Sequence, residues 1–228
     1  MDKANSVIEA LTIDCVIFGF DGELKVLLIK HKEGPSIGRW ALPGGWIKYC
    51  ESLDEAAERV LSDLTGVKNI YLQQLKAFGE THRYPDKRVI TIAYYSMVKP
   101  EKYSLIPGFT ASEVKWFSLK ELRELPYDHE DILNYGLRHL RKSVLHEPIG
   151  FNLLPEKFSL YQLQQLYEAI LGLNLDKPNF RRKMLKMNLL IDCKEKQKHV
   201  AHRAANLYRF DLQVYEKLKN KGFHFEII

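Results

Sequence analysis

The residue patterning changes near Pro126, and this change constrains the fold more than any other feature of the sequence. Before it, β-branched and aromatic runs alternate with turn residues, a pattern typical of a sheet. After it, apolar residues recur at helical spacing. A chain of 228 residues also exceeds the roughly 100 to 150 residues of a common single domain. The sequence therefore predicts an α+β protein with two domains.

The predicted domains are residues 1–126, a linking helix at 127–150, and residues 151–228. In the first, Asp21-Gly22 joins two β-rich runs and is a strong hairpin signal. Helical spacing predicts a helix from Leu53 to Leu64, ended by Gly66. Glycines and prolines predict that the whole segment from His31 to Trp46 is a loop. Further strands are expected in the runs NIYLQQLKAFGE, KRVITIAYYSMVK and EVKWF.

Positive charge is concentrated at the C-terminal end. Residues 1–150 hold 20 Lys and Arg against 21 Asp and Glu, a net charge of −1. Residues 151–228 hold 14 Lys and Arg against 8 Asp and Glu, a net charge of +6. The C-terminal part is therefore expected to bind an anionic partner.

The N-terminal residues and the cysteine spacing argue against a secreted, membrane-spanning or disulfide-linked protein. The first residues, MDKANSVIEALTID, contain polar side chains where a signal peptide needs an apolar run, and no stretch reaches the roughly 18 apolar residues of a membrane span. Cys15, Cys50 and Cys193 are dispersed and odd in number, which argues against a disulfide framework and a zinc site. We expect a cytoplasmic protein that binds no membrane.

The segment GWIKYCESLDEAAERVLSDLTGV resembles the box of the Nudix hydrolase family, in which a Gly, a Glu and an Arg-Glu-aliphatic-any-Glu-Glu-any-Gly run recur at fixed spacing. The positions that match are Gly45, Glu51, Arg59, Leu61, Gly66 and Val67. The upstream RWALPGG also resembles the family's approach to its box. The resemblance covers roughly residues 5–125 and implies a mixed β-sheet sandwiched by helices.

The departures from this box decide what the resemblance implies about chemistry. In the enzymes, three glutamates at helix offsets zero, three and four share one helix face and can hold Mg²⁺. Here these positions are Val60, Asp63 and Leu64, so two of the three carboxylates are absent. We expect no metal site, no cofactor and no hydrolase activity. The alternative is a site rebuilt from other acids, namely Glu51, Glu58, Asp63 and Glu80.

A pocket that has lost its metal can still bind a ligand. The resemblance implies a cleft between the box helix and neighbouring strands, suited to nucleotides or sugars. Arg39 and Trp40 are the leading candidates in this cleft, although aromatic strand residues more often pack in a core. The full set of candidate ligand-binding residues is Lys30, Arg39, Trp40, Gly44, Trp46, Glu80, His82, Arg88 and Tyr94.

The C-terminal third has the pattern of a winged helix-turn-helix. FSLYQLQQLYEAILGL predicts a helix capped by Ser159, a short turn follows, and NFRRKMLKM predicts a basic second helix, whose Phe180 and Met184 are expected to pack in the core. The runs LLIDC and NLYRF predict the strands of a β-wing. Phosphate and base contacts are expected from Lys177, Asn179, Arg181, Arg182, Lys183, Lys186, Lys194, Lys196 and Lys198. His199 and His202 are expected to be wing or surface residues rather than metal ligands.

The whole chain, with LPYDHEDIL, FNLLPEKFSLYQLQQLYEAIL and DKPNFRRKM after the degenerate box, resembles the Nudix-related transcription regulators. Within them it looks nearest to the arabinose-responsive regulators of Bacteroidetes. This resemblance implies a homodimeric repressor that binds a double-stranded DNA operator and senses L-arabinose. The alternatives are an ADP-ribose-sensing regulator of NAD metabolism and a Mg²⁺-dependent hydrolase of nucleoside diphosphate sugars. A third is an RNA-processing protein, since basic winged helices also bind RNA.

Overall fold

The computed structural model describes residues 10–198 and 204–227. These residues form two compact units, of which the first ends at Arg138 and the second begins at His139. The predicted fold class is confirmed, because the first unit is a mixed sheet with helices and the second is a winged helix. The predicted domain limits at 126 and 150 stay predictions. Within the described ranges no helix has the length and apolar character needed to cross a membrane.

The sheet of the first unit has seven strands. They are β1 (Leu11–Phe20), β2 (Leu24–His31), β3 (Trp40–Ala41), β4 (Gly44–Trp46), β5 (Gln73–Phe78), β6 (Ile90–Val98) and β7 (Ala111–Ser118). The order is β3-β2-β1-β6-β5, and β4 and β7 pair with β1 and β2 respectively. Strands β1 and β6 are parallel, whereas the other pairs are antiparallel. The central strand β1 is almost entirely buried, which explains its continuous apolar run.

The predicted hairpin between β1 and β2 is confirmed. Phe18 lies opposite Val26 in the antiparallel ladder. Gly22 has a φ of 106°, a conformation that side chains disfavour and glycine adopts easily. The Asp21-Gly22 signal therefore marked the turn correctly.

Helix α1 (Leu53–Thr65) confirms the helix predicted from Leu53, with an end one residue later. Ser52 caps it by accepting a hydrogen bond from the Glu55 N–H, and the Glu55 side chain accepts one from the Ser52 N–H. This capping box satisfies two amide donors that have no helical partner. Gly66, with φ of 76°, ends the helix.

The prediction that the whole segment from His31 to Trp46 is a loop was partly wrong. It contains the short strands β3 and β4. Strand β4 pairs with β1 so closely that a Cβ on Gly44 would collide with the Asp14 carboxylate. Glycines there permit a close backbone approach as well as a turn, and the sequence pattern alone does not distinguish these two uses.

Helix α2 (His129–His146) follows Pro126, and the division between the units falls inside it. The second unit contains β8 (Phe158–Ser159), α3 (Leu160–Leu171), α4 (Lys177–Lys186), β9 (Leu190–Lys196), β10 (Asn206–Phe210) and α5 (Leu212–Lys219). Its sheet has the order β8-β10-β9. The helix-turn-helix and the two wing strands are therefore where the sequence places them, whereas β8 and α5 were not predicted.

The core of the second unit joins its helices to its sheet. Leu163, Leu166 and Tyr167 of α3 are fully buried, and Phe180 and Met184 of α4 are nearly so. The rings of Tyr167 and Phe180 lie 6.0 Å apart. The prediction that Phe180 and Met184 hold α4 against the core is confirmed.

Candidate ligand pocket and nucleic-acid interface

The first unit contains a cavity of about 490 Å³ at one end of β1, within the range of about 300 to 1,000 Å³ usual for small-molecule sites. Its walls come from β1, from the segment between β2 and β4, from α1, from the loop before β6 and from the residues that precede α2. We call this cavity the ligand pocket. The lining residues that matter below are Asp14, Gly44, Trp46, Arg59, Val60, Asp63, Leu64, Arg83, Tyr84, Tyr127 and His129.

One wall of the ligand pocket is the helix face that holds metal in Nudix enzymes. Val60 and Leu64 are buried there, and they pack with Ile29 and Ala111 in a small apolar cluster. The positions of two metal-binding glutamates are thus used for core packing. Among the described residues, no group of three His, Cys, Asp or Glu side chains could hold a metal ion.

The remaining box carboxylates are occupied by Arg59. Its Nη2 and Nε donate to the two oxygens of Glu51, at 2.6 and 2.7 Å. These hydrogen bonds lower the pKa of Glu51 to about 2. Arg59 Nη1 also lies 3.6 Å from Asp63. Within this part of the chain an arginine neutralises the acids that would otherwise attract a divalent cation.

A buried polar cluster forms the floor of the ligand pocket. Arg83 donates from Nε and Nη2 to Asp128, at 2.8 and 2.7 Å, and from Nη2 to Asp14 at 3.2 Å. His129 Nδ1 accepts from the Leu42 N–H at 3.1 Å, which leaves the proton of a neutral ring on Nε2, 3.6 Å from Asp14. We call Asp14, Arg83, Asp128 and His129 the polar floor.

The charge of the polar floor follows from these contacts. Burial works against the charge of Arg83, but its hydrogen bonds to Asp128 and the nearby charge of Asp14 raise its pKa. Burial lowers the pKa of His129, so this ring is neutral at pH 7. Two carboxylates and one guanidinium leave the floor with one negative charge.

Aromatic rings form a second wall. Tyr84 lies between Trp46 and Tyr127, with ring centroids 6.3 and 5.1 Å away, and Tyr127 lies 5.5 Å from the His129 ring. Tyr127 has a φ of 57°, which is unusual for an aromatic residue and costs about 1–3 kcal/mol. Such strain persists where neighbours fix the backbone, and here Asp128 and His129 are both held by hydrogen bonds.

The structure gathers few of the predicted ligand-binding residues in this pocket. Gly44 and Trp46 line it. Arg39 and Trp40, the leading candidates, instead line a separate cavity of about 520 Å³ beside Phe117. Lys30 is paired with Glu113 at 2.8 Å.

The other predicted residues lie outside the ligand pocket. Tyr94, one of the predicted ligand-binding residues, is fully buried, and its hydroxyl donates to Asp54 at 2.6 Å. Glu80, His82 and Arg88 belong to the loop before β6, where Arg88 donates to the Glu80 carbonyl oxygen. Alternation along β6 does not reveal which face is inward, because that strand is buried on both sides.

The polar floor was not predicted, although the sequence contains one signal for it. Asp14 is a lone charge inside the apolar run of β1, and a buried charge needs partners. Its partner Arg83 lies 69 residues away and Asp128 lies 45 residues beyond that. Only the fold shows that they meet.

Helix α4 presents a basic face. Lys177, Asn179, Arg182 and Lys186 are exposed and Lys183 is half-buried. The Asp176 side chain caps the helix by accepting from the Asn179 N–H at 3.0 Å. Arg182 Nη2 donates to Asn179 Oδ1 at 2.6 Å. Two groups able to contact bases are thus joined near the N-terminal end, the part of a recognition helix that enters the major groove.

Arg181 differs from Arg182 despite being adjacent. Its Nε is buried, and among the described residues it has no hydrogen-bond partner. Arg181 and Arg182 therefore face different surroundings, which the sequence RRK did not indicate.

The wing residues are partly engaged within the protein. Lys194 pairs with Asp192 at 3.1 Å, and Glu195 pairs with Lys157 at 2.6 Å. Lys196 and Lys198 are exposed. His199 and His202 lie outside the described residues.

Comparisons with known proteins cover both units. A model of the NUDIX domain matches residues 9–138, and a model of the NrtR DNA-binding winged helix domain matches residues 150–210. The ADPR responsive transcriptional repressor NtrR of Acinetobacter baylyi is 34% identical over 212 residues, which cover 90% of this chain and 84% of that protein.

Two solved structures of Shewanella oneidensis NrtR are also similar. The protein complexed with a 27mer DNA has a TM-score of 0.74 at 31% identity, covering 94% of this chain and 97% of that chain. Its NUDIX domain complexed with ADP ribose has a TM-score of 0.56 at 29% identity, covering 61% and 94%.

Proposed function

This chain belongs to the Nudix family and, like its Acinetobacter relative, to the Nudix-related transcription regulators, and from this premise we propose that it represses transcription under the control of a small effector. The observation that carries the proposal is the combination of two features in one chain. In the ligand pocket, Val60 and Leu64 pack in an apolar cluster at positions where Nudix enzymes have metal-binding carboxylates. In the second unit, α4 is a capped basic helix of the kind that binds in a DNA groove. These two features fit a protein that senses an effector with its first unit and binds DNA with its second.

The DNA-reading role rests on charge and on geometry. Among the described residues no carboxylate pairs with Lys177, Lys183 or Lys186, so their charges are available to phosphates. Each phosphate contact releases a counterion and makes the affinity fall with salt. A homodimer is proposed because two recognition helices on a palindromic operator must lie about 34 Å apart, or a multiple of that distance.

For the effector, ADP-ribose is the better supported candidate. The Acinetobacter relative is described as responsive to ADPR, and the Shewanella domain was solved with ADP ribose. The comparisons give no support to L-arabinose, the effector that the family resemblance implied. A free sugar stays as a second candidate on one observation: Arg59 and Arg83 are already paired with carboxylates, which leaves the pocket few free cations for a pyrophosphate.

The hydrolase alternative has less support in the geometry. Glu51 and Asp63 are occupied by Arg59, and Glu58 is exposed on the helix. Among the described residues, no three acidic, histidine or cysteine side chains are grouped as metal ligands would be. We propose that the effector binds without metal and leaves unchanged.

The test measures DNA binding and its response to effector. Duplexes selected by the full chain from a random pool are titrated by fluorescence anisotropy, alone and with ADP-ribose or L-arabinose, with and without Mg²⁺. We expect ADP-ribose to weaken DNA binding at least tenfold without Mg²⁺. Tighter binding to structured RNA than to the selected duplex would defeat the proposal, as would Mg²⁺-dependent product release from ADP-ribose at an enzymatic rate.

A further inference from the structure

The polar floor has a specific chemistry that the proposed function does not assign. Asp14, Arg83 and His129 are almost completely buried and line the ligand pocket, whereas Asp128 is partly buried behind them. Buried charges are retained at such a cost only where they are paired or have a task. Because Asp14 and Asp128 share a single guanidinium, one negative charge is left over at the floor.

This charge selects among ligand groups. A phosphate brought to the floor would meet two carboxylates 3.2 Å or less from the one arginine that could attract it, so anions are disfavoured. A hydroxyl is both a donor and an acceptor. It can donate to a carboxylate oxygen and accept from the His129 Nε2–H, which has no oxygen closer than Asp14 at 3.6 Å among the described contacts. That distance is longer than a hydrogen bond, so the Nε2–H is available to a hydroxyl oxygen that lies beside the His129–Asp14 pair.

The neighbouring wall suits the other face of the same ligand. Tyr84 and Tyr127 border the pocket beside the floor, and their rings lie 5.1 Å apart, with the Trp46 ring beyond them. A sugar ring has hydroxyls at its edge and C–H groups on its faces, so it can bond the floor while it packs on these rings. Apolar walls with a few fixed polar groups are the usual design of a ligand site.

We propose that the polar floor binds the vicinal hydroxyls of a sugar ring, with Asp14 and His129 as the contacting residues and Arg83 and Asp128 as the groups that position them. This inference rests on the proposed function, since it assigns a ligand class within the effector pocket. It applies equally to a free pentose and to the terminal sugar of ADP-ribose. The anionic part of a nucleotide then lies away from the floor.

Calorimetric titration of the full chain with ADP-ribose, AMP, D-ribose and L-arabinose, without metal, tests the proposal. We expect at least one unphosphorylated sugar, or ADP-ribose and not AMP, to bind. Asp14→Asn removes the charge while keeping the size, and we expect it to weaken that binding at least tenfold. Asp131→Asn is the matched control, because Asp131 is an exposed acid in the first turn of α2 outside the ligand pocket.

Each result has a defined meaning. Binding of ADP-ribose alone identifies the terminal sugar of a nucleotide as the source, and binding of a pentose identifies a free sugar. Equal binding of AMP and ADP-ribose, unchanged in Asp14→Asn, overturns the proposal, as does binding of none of the four probes. If Asp14→Asn does not fold, single deoxy analogues of the bound sugar are titrated with the unmodified chain, and undiminished affinity for all of them overturns it.

A parallel titration with the selected duplex separates this inference from the proposed function. Asp14→Asn is expected to lose the response of DNA binding to effector, whereas Asp131→Asn is expected to keep both DNA binding and the response. A protein that binds sugar at the floor and no DNA contradicts the proposed function alone. A protein that binds and releases DNA in response to ADP-ribose, with Asp14→Asn unaffected, contradicts this inference alone.

Discussion

Arg59 and Glu51 form a two-point ion pair, with Nη2 to Oε1 at 2.6 Å and Nε to Oε2 at 2.7 Å. Arg59 Nη2 also donates to the carbonyl oxygen of Trp46 at 2.8 Å. The pair therefore fastens α1 to the segment that follows β4, beside the ligand pocket. Glu51 and Arg59 match the Nudix box, and in this chain they stabilise the fold, although two of the metal-binding carboxylates of the box are absent.

The pair predicts how stability varies with pH. The pKa of Glu51 is lowered to about 2 from an ordinary value of 4.5, so its contribution is complete above about pH 4.5 and is lost as the pH falls toward 2. Glu51→Gln is expected to lower the melting temperature at pH 7 and to differ less from the unmodified chain at pH 3. Glu58→Gln, at an exposed position of the same helix, is the control. A Glu51→Gln difference that does not shrink with acid would contradict the assignment.

Restoring the lost carboxylates tests the fate of the metal site. Val60 and Leu64 are 2% and 7% exposed and pack with Ile29 and Ala111. Val60→Glu with Leu64→Glu is expected to destabilise the first unit by about 1–3 kcal/mol for each substitution, since each puts a charge where apolar contacts were. The melting temperature is measured with and without Mg²⁺. We expect Mg²⁺ to raise it only in the doubly substituted chain, and a rise in the unmodified chain would show an existing metal site.

Local signals were sufficient for much of the fold. Helical spacing from Leu53 and the stop at Gly66 mark α1 in the sequence as in the structure, and Asp21-Gly22 marks its turn. Periodicity failed where a strand is too short to show it, as in β3 and β4, which extend over two and three residues. Such strands form because β1 and β2 offer them backbone partners, and this is a property of the assembled sheet.

The candidate site was harder to predict for the same reason. The loss of carboxylates at Val60 and Leu64 could be read directly from box spacing, because one helix carries both positions. The polar floor joins Asp14, Arg83 and Asp128 from three separate segments, and no spacing rule connects them. The leading candidates Arg39 and Trp40 belong to the segment RWALPGG that precedes the box. In the fold, both residues line another cavity.

The two adjacent arginines of α4 are expected to differ in DNA binding. Arg182 is exposed and held by Asn179, whereas the Arg181 Nε is buried. Arg182→Ala should weaken binding to the selected duplex by about 1–3 kcal/mol if it reads a base, and should relax the preference at one position of the operator. Arg181→Ala should act mainly through the packing of α4, seen as a lower melting temperature. The reverse pattern, with Arg181 controlling sequence preference, would show that α4 presents a different face.

The turn before α4 depends on one acid. Glu168 Oε1 accepts from the Leu175 N–H and from Gln164 Nε2, both at 2.9 Å, and Gln164 Nε2 also donates to the Leu175 carbonyl oxygen. This small network fixes the chain between α3 and α4. Glu168→Ala leaves partly buried donors unsatisfied, so we expect a loss of about 1–3 kcal/mol in unfolding free energy, measured by urea denaturation. DNA affinity should fall with it, while calorimetric affinity for effector stays unchanged, because the network lies in the second unit. Glu156→Ala, at an exposed position of the same unit, serves as control, and equal effects of the two substitutions would mean that the network does not hold the turn.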